Sequence, residues 1–324
     1  MSTETKFGII SYPDSRNRGD EVQSLAAKGL LPRVDYMVPR DSINTFKTDH
    51  GGPVKLLCNG WFTTTPTAWP PSPDIEPLIL SFHVTNSNTS PNNIFRPELK
   101  EYYQKWAPIG GRDMDTAANF QKLGVDAYFS GCVTLTLKNK FSSRNDDILI
   151  VDPFYQFNYD KAYMQECVDI LVPDAYKSKV KYLTHRIEKD APKETVEEKF
   201  KKAQALLDQY AQAKMVITSR IHVALPCLAM GTPVYFMDIG YNTPKDRDRF
   251  NGIINLFNTI SDEYFPMPKN RWYNFPFRKL KFYKFMKHNK NAVPIDWENP
   301  KPNKDLHLPI REALIKRVNA FIEA

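Results

Sequence analysis

The sequence predicts an α/β fold in which two Rossmann-like domains face a cleft. Short apolar segments alternate with helical segments along most of the chain, which is typical of parallel sheets covered by helices. The 324 residues suffice for two domains of about 150 residues, and the polar stretch Lys138 to Asp147 separates two series of strands and helices. We therefore expect an N-terminal domain over residues 1–140 and a C-terminal domain over residues 141–265.

In the first series, apolar runs predict strands at residues 7–11, 54–58 and 78–82. A polar loop after the first run leads into the predicted helix EVQSLAAKGLL. A second helix, MDTAANFQKLG, ends at Gly124, since a glycine is a common stop signal. The following SGCVTLTL is predicted to be a loop that enters a strand or a short helix.

In the second series, strands are predicted at residues 148–152, 179–183, 215–218 and 234–237. A helical segment that ends near Gly231 separates the last two. An amphipathic helix is predicted between the second and third strands. Its apolar face consists of Val196, Phe200, Ala203, Leu207 and Tyr210.

Residues 266–324 are expected to form a third part, in which the final helix packs across the domain junction. Between Phe265 and Pro302 the chain mixes basic and aromatic residues with prolines. This composition suits a nucleic-acid or membrane-surface patch, or aromatic side chains packed on the domains under solvated lysines. We favour packing and expect no nucleic-acid partner, with peripheral membrane contact left open. The final amphipathic helix is predicted from Pro309 and the spacing of Ile310, Leu314, Val318 and Phe321.

The overall composition favours a globular protein with anionic partners. The formal net charge is +7, which suits phosphorylated substrates, nucleic acid or a membrane surface without choosing among them. The first residues, MSTETKFGIISYPD, do not resemble a signal peptide, and no transmembrane run follows, so we expect a cytoplasmic protein. The cysteines have no paired spacing and are interpreted as reduced, packed thiols: Cys58, Cys132, Cys167 and Cys227.

The strongest functional signal is an arginine and a histidine between two apolar runs. Ser219, Arg220 and His222 follow a predicted strand and open the next helix. Ligands of open parallel sheets bind beyond the carboxyl ends of the strands, and a helix start offers free N–H groups to an anion. A salt-bridged arginine with a buried structural histidine would give the same pattern.

Three weaker signals lie in the first series. Asn17, Gly19 and Asp20 stand where a polar loop enters a helix, and the glycine would allow a ligand to approach the backbone. Arg112 follows two glycines at a strand-to-helix turn, which is not a dinucleotide fingerprint because the third glycine is missing. His83 follows an apolar strand directly. Each of these positions would also suit a capped helix or a structural residue.

Together, these segments resemble the polysaccharide pyruvyl transferase family. The resemblance rests on the NRGD loop, on GGRD with the downstream SGCVTL, and most specifically on AKMVITSRIHVALPCLAMGTPV, and it extends from about Phe7 to Asp238. It implies a fold similar to the GT-B glycosyltransferases, phosphoenolpyruvate as the donor and a sugar or oligosaccharide as the acceptor. The family's Arg-x-His element matches Arg220 and His222, and its second arginine matches Arg112.

The implied reaction forms a pyruvate ketal across two sugar hydroxyls. Two arginines can bind the donor's phosphate and carboxylate by paired hydrogen bonds. His222 is expected to act as the acid or to contact the phosphate, and His83 as a second acid-base residue. Donor contacts are expected from Arg112, Arg220, Ser219, Asn17, Gly19 and Asp20. No cofactor and no metal is expected.

Several alternatives remain open from the sequence. Trp61 and Trp69 are predicted to stack on the acceptor sugar, although two buried indoles that hold a loop would explain them equally well. The DRD motif at residues 246–248 is similar to a metal-binding motif of some glycosyltransferases, but its basic neighbours favour a salt-bridged loop. A nucleotide-sugar glycosyltransferase and a non-catalytic glycan- or nucleic-acid-binding protein are the alternative functions.

Overall fold

Two parallel β-sheets flanked by helices form the framework of the molecule. The computed structural model describes residues 4–62, 68–85, 94–153, 169, 171–239, 241, 247–261 and 293–324. The predicted mixed α/β class with parallel sheets is confirmed, and the arrangement is consistent with two Rossmann-like domains. Most of the basic-aromatic stretch and Cys167 lie outside the described residues.

The first sheet has six strands in the order β2-β1-β3-β4-β5-β6. They are β1 (Lys6–Ser11), β2 (Tyr36–Pro39), β3 (Val54–Trp61), β4 (Ile75–His83), β5 (Ile109–Gly111) and β6 (Ala127–Phe129). Every neighbouring pair is parallel. Because the chain moves outward in one direction from β1 to β2 and in the other from β3 onward, a crevice opens where β1 and β3 end.

The second sheet repeats this topology with five strands in the order β11-β10-β9-β7-β8. They are β7 (Ile148–Val151), β8 (Val180–Leu183), β9 (Met215–Thr218), β10 (Val234–Asp238) and β11 (Asn258–Ser261). Its strand order reverses between β7 and β9, so the corresponding crevice lies beyond Val151 and Thr218. In the sequence, the stretch Lys138 to Asp147 lies between the last strand of the first sheet and the first strand of the second. The division into domains at residue 140 stays a prediction.

Three of the six described α-helices begin at a side-chain cap. The six helices are α1 (Arg18–Lys28), α2 (Lys100–Lys105), α3 (Met114–Lys122), α4 (Val196–Gln212), α5 (Ile221–Ala229) and α6 (Leu308–Glu323). Asn17 and Asp113 accept hydrogen bonds from Gly19 N and Thr116 N at the starts of α1 and α3. Thr195 and Glu198 form a capping box at the start of α4. The stretch SGCVTLTL contains a short 3₁₀ helix, Val133–Thr136.

One continuous apolar core joins the two sheets. It contains Val22 and Ala26 of α1, Leu207 of α4 and Leu225 of α5, all at most 2% exposed. Burial of such an aliphatic side chain stabilises the fold by about 1.5–3 kcal/mol, so the helices between the sheets fix how the two crevices face each other.

The C-terminal part contacts both sheets. Beside the second sheet, Asn303 accepts a hydrogen bond from Val234 N through Oδ1 and donates one to Thr232 O from Nδ2. The helix α6 buries Leu314, Val318 and Phe321 in the shared core. Lys55 of β3 donates from Nζ to the carbonyl oxygen of Phe321 at 2.9 Å. Among the described residues, no helix has the length and apolarity that crossing a bilayer requires.

Candidate functional site

A cavity of about 390 Å³ lies where the carboxyl ends of the two sheets face each other. The residues that we call the first-sheet side are Asp14, Ser15, Asn17, Asp20, Arg40, Asp41 and Trp61. Those that we call the second-sheet side are His185, Ser219, Arg220, Ile221, His222, Tyr241, Arg249 and Phe250. The two reversal points of strand order thus contribute to one cavity, which is where open α/β sheets bind ligands.

Arg220 is fixed at the floor of the second-sheet crevice. It precedes α5, and its Nε donates to Asp152 Oδ2 at 2.8 Å. Asp152 follows β7, accepts a second bond from His185 N at 3.1 Å, and holds Ser219 Oγ through its carbonyl oxygen at 2.6 Å. Its φ of 42° is in the left-handed region, which an aspartate tolerates better than most residues. These bonds hold the guanidinium in one orientation at the end of β9.

The first-sheet loop reaches across the cavity to this arginine. Asn17 Oδ1 accepts from Arg220 Nη1 at 3.3 Å and from Gly19 N at 3.3 Å. A Cβ on Gly19 would lie 3.0 Å from both Cβ and Nδ1 of His222, so any other residue here would push the His222 side chain away by a few tenths of an ångström. The predicted residues Asn17, Gly19, Ser219, Arg220 and His222 are therefore brought together.

His222 is a buried, neutral imidazole at pH 7. Its side chain is in the first turn of α5, and Nε2 has no hydrogen-bond partner among the described residues. Burial, followed by the positive charges of Arg112 and Arg249, lowers the pKa of His222 well below its usual value. The same causes act on His185, where burial and Arg220 lower the pKa to about 3. In the free protein, the neutral imidazoles of His222 and His185 are therefore proton acceptors that lie close to positively charged arginines.

Arg112 and His83 lie deeper, behind the cavity lining. Arg112 is 1% exposed, and its Nε and Nη2 have no hydrogen-bond partner in the described part of the chain. Burial lowers the pKa of Arg112, and burial together with Arg112 lowers the pKa of His83 to about 4. His83 Nδ1 is 2.6 Å from Asp113 Oδ2, so the neutral imidazole donates Nδ1–H to this carboxylate. Its Nε2 is then the basic atom.

The two tryptophans have different environments. Trp61 is 41% exposed at the rim of the cavity, where its carbonyl oxygen accepts from Arg40 Nη1 at 3.0 Å. Trp69 is 2% exposed and packs against Phe62 and Phe82, with ring centroids 5.1 and 4.9 Å away. This position leaves no face of the Trp69 indole for a sugar, and we do not retain it as an acceptor contact.

Acidic and basic residues of α1 and α4 support the first-sheet loop from behind. Lys199 Nζ donates to the carbonyl oxygens of Tyr12, Pro13 and Ser15 at 3.0, 2.6 and 2.9 Å. Asp20 accepts from Ser15 Oγ at 2.5 Å, and burial raises the pKa of this carboxyl. Burial and then Asp20 raise the pKa of the neighbouring Glu21 to about 7.

Four of the lining residues that the sequence did not identify make polar contacts that matter for the site. Arg40 and Asp41 form a two-point ion pair, with Nε and Nη2 each 2.9 Å from a carboxylate oxygen. Tyr241 donates from its hydroxyl to Ser219 O at 2.8 Å, and Arg249 has a buried Nε without a described partner. In sequence they look like ordinary loop residues. Only their position after strands β2 and β10 indicates a site.

The DRD motif is only partly described. Asp246 lies outside the described residues, whereas Arg247 donates from Nη1 to both carboxylate oxygens of Asp238 at 2.7 and 2.8 Å. Within the described ranges, no group of three or more His, Cys, Asp or Glu side chains is placed to hold a metal ion.

The chain was compared with models of protein families. A family model described as polysaccharide pyruvyl transferase matches residues 77–241, which include Arg112, Asp152, Arg220 and His222. No curated protein matches the chain. The matched range thus contains the second-sheet crevice and the buried Arg112.

Proposed function

The chain belongs to the polysaccharide pyruvyl transferase family, and we propose that it transfers the pyruvyl group of phosphoenolpyruvate to two hydroxyls of a sugar. The product would be a cyclic ketal with release of phosphate. The observation that carries this proposal is the convergence of Arg220, His222 and Arg249 with the first-sheet loop on one cavity. We further propose that the two sheets form a GT-B-like pair of domains around this cleft.

The second-sheet side would bind the donor. Phosphoenolpyruvate has a phosphate and a carboxylate, and each suits a guanidinium by charge-assisted hydrogen bonds. Arg220 and Arg249 line the cavity, and Arg112 lies behind it with two buried, unpartnered nitrogen atoms. A buried donor without a partner is unfavourable by about 1–3 kcal/mol, and a bound anion that reached these nitrogen atoms would remove this penalty. The N-terminus of α5, with Ser219 beside it, adds backbone N–H groups.

The reaction needs protons moved in a defined sequence. A proton is added to the methylene carbon of the donor, one acceptor hydroxyl attacks the resulting cationic carbon, and the second hydroxyl displaces phosphate. The two hydroxyl protons balance the reaction, since one replaces the proton taken up by the new methyl group and the other leaves with the phosphate. An acid-base group close to the donor can contribute about 10²–10⁴-fold to the rate.

His222 is proposed as this group, with its proton acquired when the donor binds. In the free protein its pKa is lowered by burial and by Arg112 and Arg249, so it is not an acid at pH 7. A donor with several negative charges would offset these arginines and raise the pKa of His222. The neutral His83, which is hydrogen-bonded to Asp113, is proposed to act as a second acid-base residue or to orient Arg112 through Asp113.

The first-sheet side would bind the acceptor. Trp61 is exposed at the rim and can stack on a sugar face. Asn17 and Gly19 would hold the first-sheet loop against Arg220 and His222 of the donor side. Asp20, which the sequence suggested as a donor contact, carries a carboxyl group on this side. We propose that it faces acceptor hydroxyls, because a carboxylate would repel the donor.

The test is phosphate release from phosphoenolpyruvate by the purified protein, with and without a panel of hexosides, followed by mass spectrometry of each sugar. Sugar-dependent release with a pyruvyl ketal on the sugar is the expected result. His222→Gln should lose turnover while it retains donor binding, and full turnover in this variant would exclude its catalytic role. If no sugar of the panel causes phosphate release, and the protein is stabilised by a nucleotide sugar but not by phosphoenolpyruvate, a glycosyltransferase would be favoured.

A further inference from the structure

His185 lines the cavity, although no step of the proposed reaction involves it. It follows β8 and is 0% exposed. Its carbonyl oxygen accepts from Arg18 N at 2.8 Å, and its backbone N–H donates to Asp152 Oδ2 at 3.1 Å. The same carboxylate oxygen accepts from Arg220 Nε at 2.8 Å. His185 is therefore held next to the guanidinium that is proposed to bind the donor.

The two ring nitrogen atoms of His185 have different surroundings. Nε2 is 2.8 Å from the hydroxyl oxygen of Tyr210, and the two rings are stacked with their centroids 6.0 Å apart. Tyr210 is a 0% exposed residue of α4 and belongs to the shared core. Nδ1 is buried and has no hydrogen-bond partner among the described residues. Nδ1 is thus the ring nitrogen that is left for a ligand in the cavity.

The Tyr210 hydroxyl determines which nitrogen carries the proton. In the part of the chain that the structure describes, this hydroxyl has one hydrogen-bond partner, His185 Nε2. If Nε2 carried the proton, the phenolic hydrogen would be buried without an acceptor, and Nδ1 would be a buried acceptor without a donor. If Nδ1 carries the proton, the phenol donates to Nε2 and only the Nδ1–H group lacks a partner. Because buried polar groups without partners are unfavourable, the Nδ1–H tautomer is favoured.

The imidazole of His185 also stays neutral. Burial and then the positive charge of Arg220 lower the pKa of His185 to about 3. Protonation of Nε2 would in addition remove the bond from the phenol. A positive charge on His185 would add to the burial and the arginines that already lower the pKa of His222. A neutral N–H group can therefore bind an anion without making His222 a weaker base.

We propose that His185 is a donor-binding residue whose Nδ1–H group, fixed by Tyr210, donates a hydrogen bond to an anionic oxygen of phosphoenolpyruvate. This inference rests on the proposed transfer reaction and adds a residue to its donor site. Arg220 supplies positive charge at this place, and His185 supplies an uncharged donor with a fixed direction. Hydrogen bonds to an ionised acceptor are shorter and stronger than those between neutral groups. A donor oxygen would also give the buried Nδ1–H group its partner.

Asparagine and glutamine at position 185 separate the two ring nitrogen atoms. The amide nitrogen of asparagine is attached at the position of Nδ1, so His185→Asn keeps the N–H donor of the cavity and loses the contact with Tyr210. The amide group of glutamine reaches the position of Nε2, so His185→Gln keeps the contact with Tyr210 and loses the donor. The backbone bonds of residue 185 remain in both variants.

The first measurement is calorimetric titration of phosphoenolpyruvate into each variant. We expect binding to be weakened by at least about tenfold in His185→Gln and by less than about threefold in His185→Asn. His307→Gln is the matched control, because His307 is 4% exposed but is not among the described lining residues. It should bind phosphoenolpyruvate as tightly as the wild-type protein.

The second measurement is the tautomer of His185 in the wild-type protein, which does not depend on the stability of a variant. Nitrogen NMR of the imidazole side chains distinguishes a protonated ring nitrogen from an unprotonated one. The spectrum of His307→Gln assigns the signals of His307, which are then set aside. We expect one neutral histidine with its proton on Nδ1, with and without phosphoenolpyruvate, and no titration of this residue between about pH 6 and about pH 8.

The outcomes separate this inference from the reaction on which it rests. Equal affinity of His185→Gln and the wild-type protein would overturn the inference and leave the transfer reaction standing. Binding as weak in His185→Asn as in His185→Gln, or a proton on Nε2 in the wild-type protein, would also overturn it. If the wild-type protein does not bind phosphoenolpyruvate, the proposed donor and the inference fail together.

Discussion

Replacement of Lys199 by methionine would test how the first-sheet loop is held at the site. Lys199 is 6% exposed and donates to three carbonyl oxygens of residues 12–15. A hydrogen bond from a charged group contributes about 1.5–3 kcal/mol. Only the bond to Tyr12 O is fully buried, so water can replace the other two, and we expect Lys199→Met to reduce the free energy of unfolding by about 2–4 kcal/mol.

The assay is urea denaturation at constant pH, with Lys202→Met as the control on the same helix. Lys202 pairs with Glu194 at 2.6 Å, but its side chain is 59% exposed, so its loss should change the stability by less than about 1 kcal/mol. Folded Lys199→Met should also show a higher KM for phosphoenolpyruvate, because the loop positions Asn17 against Arg220. Equal stability of the two variants would refute the reasoning.

Three further predictions concern the site. Gly19→Ala should lower kcat by about tenfold or more because its Cβ would displace the His222 ring; unchanged turnover would contradict this. Trp61→Ala should raise the KM for the sugar about tenfold and leave that for phosphoenolpyruvate unchanged; the reverse pattern in steady-state kinetics would contradict the assignment of sides. Because the pKa of Glu21 is raised from 4.5 to about 7, the folded protein binds its proton more tightly, and stability should fall by up to about 3 kcal/mol as pH rises through this range. Glu21→Gln should remove this fall in urea titrations at pH 5 and 8; parallel curves for the two proteins would contradict it.

Elements with a continuous apolar run or a helix cap were predictable from the sequence because their pattern is local. The strand Met215–Thr218 and the helix α3 lie where the residues predicted them, because apolar runs, caps and the glycine at position 124 act within a few residues. The helix α1 was predicted too, but it begins and ends three residues earlier than EVQSLAAKGLL. Gly124 has φ of 77°, as a helix stop requires. β5 was expected only as the strand that ends before Arg112, and β2, β6 and β11 were missed. β2 contains Pro39, β6 has three residues, and β11 is half polar, so none of them has the continuous apolar run of β7.

Only part of the site was predictable from the sequence, because several of its residues come together through contacts that are distant in the chain. Arg220 and His222 follow a strand directly, so the topology places them at a sheet edge. Asp152 is 68 positions from its partner Arg220, and no local pattern joins the two. Arg40 and Arg249 likewise reach the cavity only through the relative position of the two sheets, which long-range packing determines.

The burial of His222 changed the interpretation of its chemistry. The sequence suggested a histidine that acts as the acid or contacts the phosphate. The structure instead surrounds it with apolar packing and arginines, so its proton affinity depends on the charge of what binds beside it. Such a shift depends on the three-dimensional position of Arg112 and Arg249 and is not visible in the order of residues.

The most direct test of the account is calorimetric titration of phosphoenolpyruvate into the wild-type protein, Arg220→Lys and Arg33→Met. Arg220→Lys keeps the charge but loses the fork that contacts both Asp152 and Asn17, whereas Arg33 is 39% exposed and does not line the cavity. We predict one binding site in the wild-type protein, binding weakened by at least about tenfold in Arg220→Lys, and no change in Arg33→Met. Equal affinity in all three proteins, or no binding in the wild-type protein, would contradict the placement of the donor at the end of β9.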